Sequence, residues 1–299
     1  MTEFYLDNKP KDYSKVEQID PLVRRILAPN PSSFTNTGTG TYIIGRKDLA
    51  IIDPGPLIES HINNLLKKIN NKLIKYIFIT HTHLDHSPAA EVIKKLTGAK
   101  TYAHGPYPGN NDNSTFDEGH DKNFVPDIYL SDNDVIETDE WQLKAIHTPG
   151  HTSNHMCYGL ENSSILFTGD HIMGWSTTVI VPPDGNMTKY VDSLKKIIKY
   201  NYKIYLPTHG SQITEPKKYV RALISHRKMR ETQIINELKN KKLTVAEMVP
   251  KFYASTKKSL WKAAEKSLLA TLISLEERQL ICCSKRNKNS GMWSLKQNK

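Results

Sequence analysis

The stretch Leu73–Thr80, LIKYIFIT, runs directly into His81-Thr82-His83-Leu84-Asp85-His86, and its reading decides the fold. A compact apolar run rich in Ile, Tyr and Phe predicts a buried strand over 73–80. The hexad that follows holds three imidazoles and a carboxylate, in a chain with 12 His among 299 residues. A cluster at the C-terminal end of a strand lies where α/β sheets form ligand sites. Alternation aims His81 and His83 at one point. The turn through Leu84 can aim Asp85 and His86 at a second point nearby. Imidazole nitrogen and carboxylate oxygen suit Zn²⁺, Mn²⁺ or Fe²⁺.

Working outward, TYIIG (41–45) and LAIID (49–53) predict a hairpin, and Asp53-Pro54-Gly55-Pro56 ends its second strand. Ile58, Ile62, Leu65, Leu66 and Ile69 recur at helical spacing. Ser87-Pro88 reads as an N-cap followed by Pro at the first helical position, with Val92, Ile93 and Leu96 turned inward. Residues 104–127 are rich in Gly, Asn, Asp and Pro and predict a long functional or mobile loop. Further strands are expected at 142–147, 155–159, 164–168 and 203–207, and a helix through Val191, Leu194, Ile197 and Ile198. The first 30 residues predict an edge strand or an arm, and 175–186 an irregular segment.

After Pro216 the character changes. Helices are expected over 219–238, 243–253 with Thr244 as N-cap, and 259–280, then a hairpin in ICCSKRNKNSGMWSL (281–295). Three helices and a hairpin outline a winged-helix module, with Trp261 and Trp293 expected in its core. The predicted domains are therefore 1–215 and 216–299. The charge follows the same division. Of the net +10, residues 1–215 contribute −4, and residues 216–299 contribute +14 from 20 Lys and Arg against 6 Asp and Glu. Two readings stay open for the basic segment: a surface that meets an anion, nucleic acid first among them, or a Lys-rich solvated face.

Composition narrows the classes. Hydrophobic residues at 38% and charged residues at 24% support a core and exclude wholesale disorder. No apolar run approaches the roughly 18 residues that cross a bilayer. MTEFYLDNKPKDYSK, at the start, lacks an apolar signal core, so a cytoplasmic location is expected. Cys157, Cys282 and Cys283 are too few for a disulfide framework and read as buried or half-buried thiols.

Three more segments put ligand-type residues at predicted strand ends: His147-Thr148-Pro149-Gly150-His151, Thr168-Gly169-Asp170 and Pro207-Thr208-His209-Gly210. None contains Cys, which argues for a catalytic site with open positions over a structural thiolate site. HxHxDH followed by GH, GD and a late THG resembles the metallo-β-lactamase superfamily over residues 20 to 215. NPSSFTNTGTGTYIIG, GWSTTVIVPPDGNM and SHRKMRE further resemble its beta-lactamase-like protein 2 group, whose vertebrate member is a single-strand endoribonuclease. The group usually has Asn where this chain has Gly40.

The resemblance implies a four-layer αββα sandwich with a small C-terminal winged-helix-like domain, and a site for two divalent ions, zinc first, with Mn²⁺ or Fe²⁺ as alternatives. It assigns His81, His83 and His151 to one ion, Asp85, His86 and His209 to the other, and Asp170 as the bridge. Two cations roughly 3.5–4 Å apart lower the pKa of a shared water, and the bridging hydroxide is the implied nucleophile. Asp85 and Asp170 are the implied catalytic carboxylates, with Asp85 able to hold or shuttle a proton. Asp53, at a strand end, is the candidate for orienting a ligand imidazole.

The remaining histidines divide. His147 reads as hydrogen-bonded support, and His155 as a structural strand-end residue near the site. His171 reads either as a substrate contact or as structural. His61, on the polar face of a helix, and His104 and His120, in a loop, read as surface residues. Thr177, Thr178 and Arg227 are candidate substrate contacts, with turn formation or helix packing as the alternatives. The resulting function is a metal-dependent phosphodiesterase acting on single-stranded RNA. The alternative is hydrolysis of a small acyl substrate, a thioester or lactone, in the manner of glyoxalase II. A nucleic-acid-binding regulator with a sensory metal domain is the third reading, and the intact ligand set argues against it.

Overall fold

The computed structural model describes residues 11–69, 73–109 and 119–296. They form two compact units. One takes the chain to Thr148, Asn154–Thr178 and Ile198–Pro216; the other takes Pro149–Ser153, Val179–Ile197 and the chain from Lys217.

In the first unit, β1 (Glu17–Asp20), β2 (Val23–Leu27), β3 (Gly40–Ile44), β4 (Leu49–Ile52), β5 (Ile74–Phe78), β6 (Lys100–Ala103) and β7 (Ile128–Tyr129) lie side by side in chain order. Pairing is antiparallel up to β4 and parallel from β4 to β7. Parallel neighbours need crossovers, and the helices α1 (Glu59–Lys68) and α2 (Ala89–Thr97) lie within two of them. A second sheet holds β8 (Val135–Glu137), β9 (Gln142–His147), β10 (Met156–Leu160), β11 (Ile165–Gly169) and β12 (Ile204–Pro207), again in chain order.

Alternation along the strands builds two cores from one sheet. Tyr42, Ile44, Ile52 and Phe78 join Leu143, Met156, Tyr158, Phe167 and Leu206 of the second sheet in one cluster. Their neighbours Ile43, Leu49, Ile51 and Ile77 pack instead with Ile62 and Leu65 of α1 and Ala90 and Ile93 of α2. Each such side chain contributes about 1.5–3 kcal/mol by leaving water. Two buried tyrosines tie the sheets at their ends: Tyr42 Oη donates to the Pro207 carbonyl at 2.6 Å, and Tyr158 Oη to that of Ile79 at 2.7 Å. The expected strands at 41–53, 73–80, 142–147, 155–159, 164–168 and 203–207 are all present, within a residue or two at their ends.

Two details of α2 differ from expectation. Leu96 is 60% exposed while Ile93 is fully buried. The helix ends at Thr97, and its inward stripe stops a turn earlier. Pro88 takes the cap position, and the Ser87 hydroxyl donates to Asp121 Oδ2 at 2.8 Å rather than capping. In the expected 104–127 loop, residues 110–118 lie outside the described residues.

The second unit contains α3 (Met187–Ile197), α4 (Pro216–Leu238, from its second residue), α5 (Val245–Phe252), α6 (Trp261–Glu277) and the hairpin β13 (Ile281–Cys283) and β14 (Trp293–Leu295). Thr244 caps α5 in a reciprocal pair with Glu247, whose carboxylate accepts from the Thr244 N–H at 2.8 Å. Trp293 is fully buried among Ile234, Met248, Leu268, Leu272 and Ile281, and Trp261 packs on this cluster partly buried. Leu243 and Trp293 bridge as β-partners, adding a third strand position to the hairpin. No helix among the described residues is long and apolar enough to cross a membrane.

His61 is a correction. It is 1% exposed, with Nε2 3.0 Å from Thr41 Oγ1 and 3.1 Å from the Pro54 carbonyl. Gly55, at φ +95°, leaves the room: a Cβ there would lie 3.1 Å from His61 Nε2. Burial pushes the His61 pKa down to about 4, so the folded state holds it neutral. The unfolded chain takes up that proton near pH 6.5, hence stability present above pH 6.5 is lost as the pH falls towards 4. The loss should reach about 3 kcal/mol in urea titrations, and His61→Gln should flatten that slope. Equal slopes in the two proteins would refute this role.

Candidate metal centre

Turn geometry at the strand ends gathers the polar residues. Asp53 follows β4 with φ +49° and is fully buried. Its Oδ1 accepts the Thr80 N–H at 2.8 Å. Its Oδ2 accepts the Thr80 hydroxyl at 2.7 Å, the Thr208 hydroxyl at 3.0 Å and His86 Nδ1 at 2.8 Å. One carboxylate thus holds the chain after β4, β5 and β12 together and turns His86 Nε2 inward. This is the orienting role expected of it.

His209 is aimed the same way, with Nδ1 3.2 Å from the Gly38 carbonyl. The inward nitrogens meet carboxylates. His209 Nε2 is 3.1 Å from Asp85 Oδ2 and 3.3 Å from Asp170 Oδ1; His86 Nε2 is 3.3 Å from Asp85 Oδ2 and 3.7 Å from Asp170 Oδ1. His81 Nε2 is 2.9 Å from His83 Nδ1. Among the described residues of the first unit, two triads result, His81–His86–Asp170 and Asp85–His86–His209, each with its ligand atoms within 4.8 Å of one another.

Burial alone would push the Asp85 and Asp170 carboxyls up, but His86 and His209 outweigh it and hold both well below the ordinary range. Burial would likewise lower the two imidazoles. Asp85, Asp53 and Asp170 instead raise His86, and Asp170 and Asp85 raise His209 to about 10. The pocket therefore keeps its carboxylates ionised, and a cation that enters displaces imidazole protons. Among the described residues, no hydrogen-bond donor reaches the buried Asp85 Oδ1. An orphaned buried carboxylate oxygen beside convergent imidazoles fits a divalent ion better than it fits a closed protein network.

Sequence reading did not single out several supports. The Thr39 hydroxyl donates to Asp85 Oδ2 at 3.0 Å. His155, expected only as a structural strand-end residue, places Nδ1 2.9 Å from the Thr148 hydroxyl and accepts the Asp170 and His171 N–H groups on Nε2, both at 3.2 Å. A Cβ on Gly169 would sit 2.6 Å from that Nε2, which explains glycine before Asp170. Gly40 is less tightly held: a Cβ there would lie 3.1 Å from the Thr208 carbonyl and 3.2 Å from Arg25 Cδ.

Two loop histidines are not plain surface groups. His120 bridges His83 as a β-partner, and its ring stacks on Tyr107 at 3.9 Å. His104 stacks on His147, also at 3.9 Å. The Thr178 hydroxyl donates to the Asp170 carbonyl at 2.8 Å, Thr177 is half-buried, and the buried His171 ring lies 5.9 Å from that of His155. His151 and Arg227 belong to the second unit. His151 Nδ1 lies 2.8 Å from the Val179 carbonyl, and Arg227 stacks 5.1 Å over the Tyr190 ring.

Residues 36–209 match the model of the metallo-β-lactamase superfamily, and residues 244–288 match the beta-lactamase associated winged helix domain. The chain belongs to the metallo-β-lactamase superfamily, and it is a hydrolase of that family. It is 30% identical to a beta-lactamase-like protein 2 homolog of Drosophila melanogaster, over 90% of this chain and 93% of the relative. It is 26% identical to an atrochrysone carboxyl ACP thioesterase of Claviceps purpurea, over 84% of this chain and 77% of the relative. A beta-lactamase domain protein from Burkholderia ambifaria shares the fold, with a TM-score of 0.81 at 16% identity, over 98% of this chain and 97% of that one.

Asp53→Asn keeps the shape of the buried hub but removes its charge. Zinc affinity, read by competition with a chelator, should fall 10- to 100-fold. Unchanged affinity would show that Asp53 is a folding residue alone.

Proposed function

We propose that this chain is a dinuclear-metal-dependent phosphodiesterase acting on single-stranded RNA. The observation that carries the metal reading is the buried Asp85 Oδ1, which no donor reaches among the described residues, beside His86, His209 and Asp170. In this reading His81, His83 and His151 hold one ion, Asp85, His86 and His209 the other, and Asp170 both. Zinc suits the donors best, with Mn²⁺ or Fe²⁺ as alternatives. When bound, the ions lower the pKa of a shared water and polarise the scissile group. The chain's own part is to orient. Asp53 and the Gly38 carbonyl fix the inward nitrogens of His86 and His209, Thr39 steadies Asp85, and His155 and Thr178 hold the Asp170 turn.

The substrate reading rests on the +14 charge of residues 216–299 and on the resemblance to the beta-lactamase-like protein 2 group. Residues 1–215 act as the catalytic domain and 216–299 as the domain that gathers RNA. His171, Thr177, Thr178 and Arg227 are the proposed substrate contacts, and the cytoplasm is the proposed location. A second reading is favoured by the thioesterase relative: hydrolysis of a thioester, with the same metal set.

Zinc-loaded protein assayed on oligoribonucleotides and on a thioester panel separates the two. RNA cleavage should vanish in Asp170→Ala, and RNA affinity should fall steeply with salt. Thioester turnover without RNA cleavage would establish the second reading. Cleavage that survives Asp170→Ala, or affinity flat in salt, would refute the first.

A further inference from the structure

The second unit contains a cavity of about 450 Å³, within the range of small-ligand sites. Its walls are the 182–187 segment, one face of α6 and the tip of the β13–β14 hairpin. Pro183, Leu269 and Ile273 give it apolar surface, and Lys266, Arg286 and Lys288 give it positive charge against the single carboxylate of Glu277. We propose that this cavity seats one nucleotide of a single-stranded RNA, its base on the apolar surface and its phosphate at Arg286. The proposal rests on the RNA reading above and names where the second unit holds that RNA.

The walls are pinned before any ligand arrives. The Ile180 N–H donates to Ser267 Oγ at 3.1 Å, and the Thr188 and Ser274 hydroxyls are 2.8 Å apart, so the loop is fastened to α6 on both sides of the cavity. Pre-formed walls reduce the ordering cost of binding. The cations are not equivalent. Lys288 is held 2.7 Å from Glu276, which also accepts the Cys283 N–H. Arg286 is exposed and has no carboxylate partner among the described residues. Its planar guanidinium matches a phosphate with two parallel hydrogen bonds. Asn289, also in the lining, offers an amide that both donates and accepts. An apolar pocket with a single uncommitted guanidinium at its rim matches an apolar base joined to a single anionic group.

Arg286→Gln tests the assignment in the full zinc-loaded chain. KM for a hexaribonucleotide should rise roughly three- to tenfold with kcat unchanged. The slope of log affinity against log salt should shrink by about 0.7, the signature of one lost phosphate contact on a single strand. A lost packing contact would not move that slope. Lys100→Gln, an exposed lysine of the first unit outside the basic residues 216–299, should match wild type in both. If wild type binds and cleaves RNA but Arg286→Gln keeps its KM and slope, the pocket assignment is wrong and the RNA reading stands. If wild type neither binds nor cleaves RNA, both are wrong.

Discussion

The structure of the site depends on one buried carboxylate. Asp53 sits where β4 ends and accepts four hydrogen bonds, from Thr80 twice, from Thr208 and from His86. An unpaired carboxylate at that depth would cost several kcal/mol, so the chain ends around it must converge. Thr80 follows β5 of the first sheet and Thr208 follows β12 of the second. Satisfying Asp53 therefore registers the two sheets at the edge where the candidate ligands emerge. The tyrosine hydroxyls of Tyr42 and Tyr158 reinforce the same edge.

That constraint explains the charge pattern. Asp85 and Asp170 are both buried beside the same two nitrogens, His86 Nε2 and His209 Nε2, and burial alone would favour their protonation. Imidazoles His86 and His209, turned inward by Asp53 and by the Gly38 carbonyl, stand between them and keep both ionised. The same donors serve any hydrolysis in which an anionic centre develops, and fold alone does not choose the substrate.

Much of this was legible because its signals are local. HTHLDH sits directly after an apolar strand, and the DPG turn marks Asp53 as a strand-end residue, so both are visible within a dozen positions. The capping pair Thr244 and Glu247 is visible for the same reason. Signals that depend on distant packing were not. His61 lies on the polar side of its helix by periodicity, yet Thr41 and the Pro54 carbonyl enclose it. His120 gives no sequence cue for its pairing with His83, 37 positions away. Leu96 fits the apolar stripe of α2 but stands in its exposed last turn. The short strands β6, β7 and β8 carry too few residues for a period to show.

The account turns on the convergence of imidazoles and carboxylates onto two ions. Zinc-edge anomalous diffraction from crystals of the zinc-loaded protein measures this directly. It should show two ions roughly 3.5–4 Å apart, with His86 and His209 on one, His81 and His83 on the other, and Asp170 between. A single ion, or ions seated away from Asp170, would contradict it.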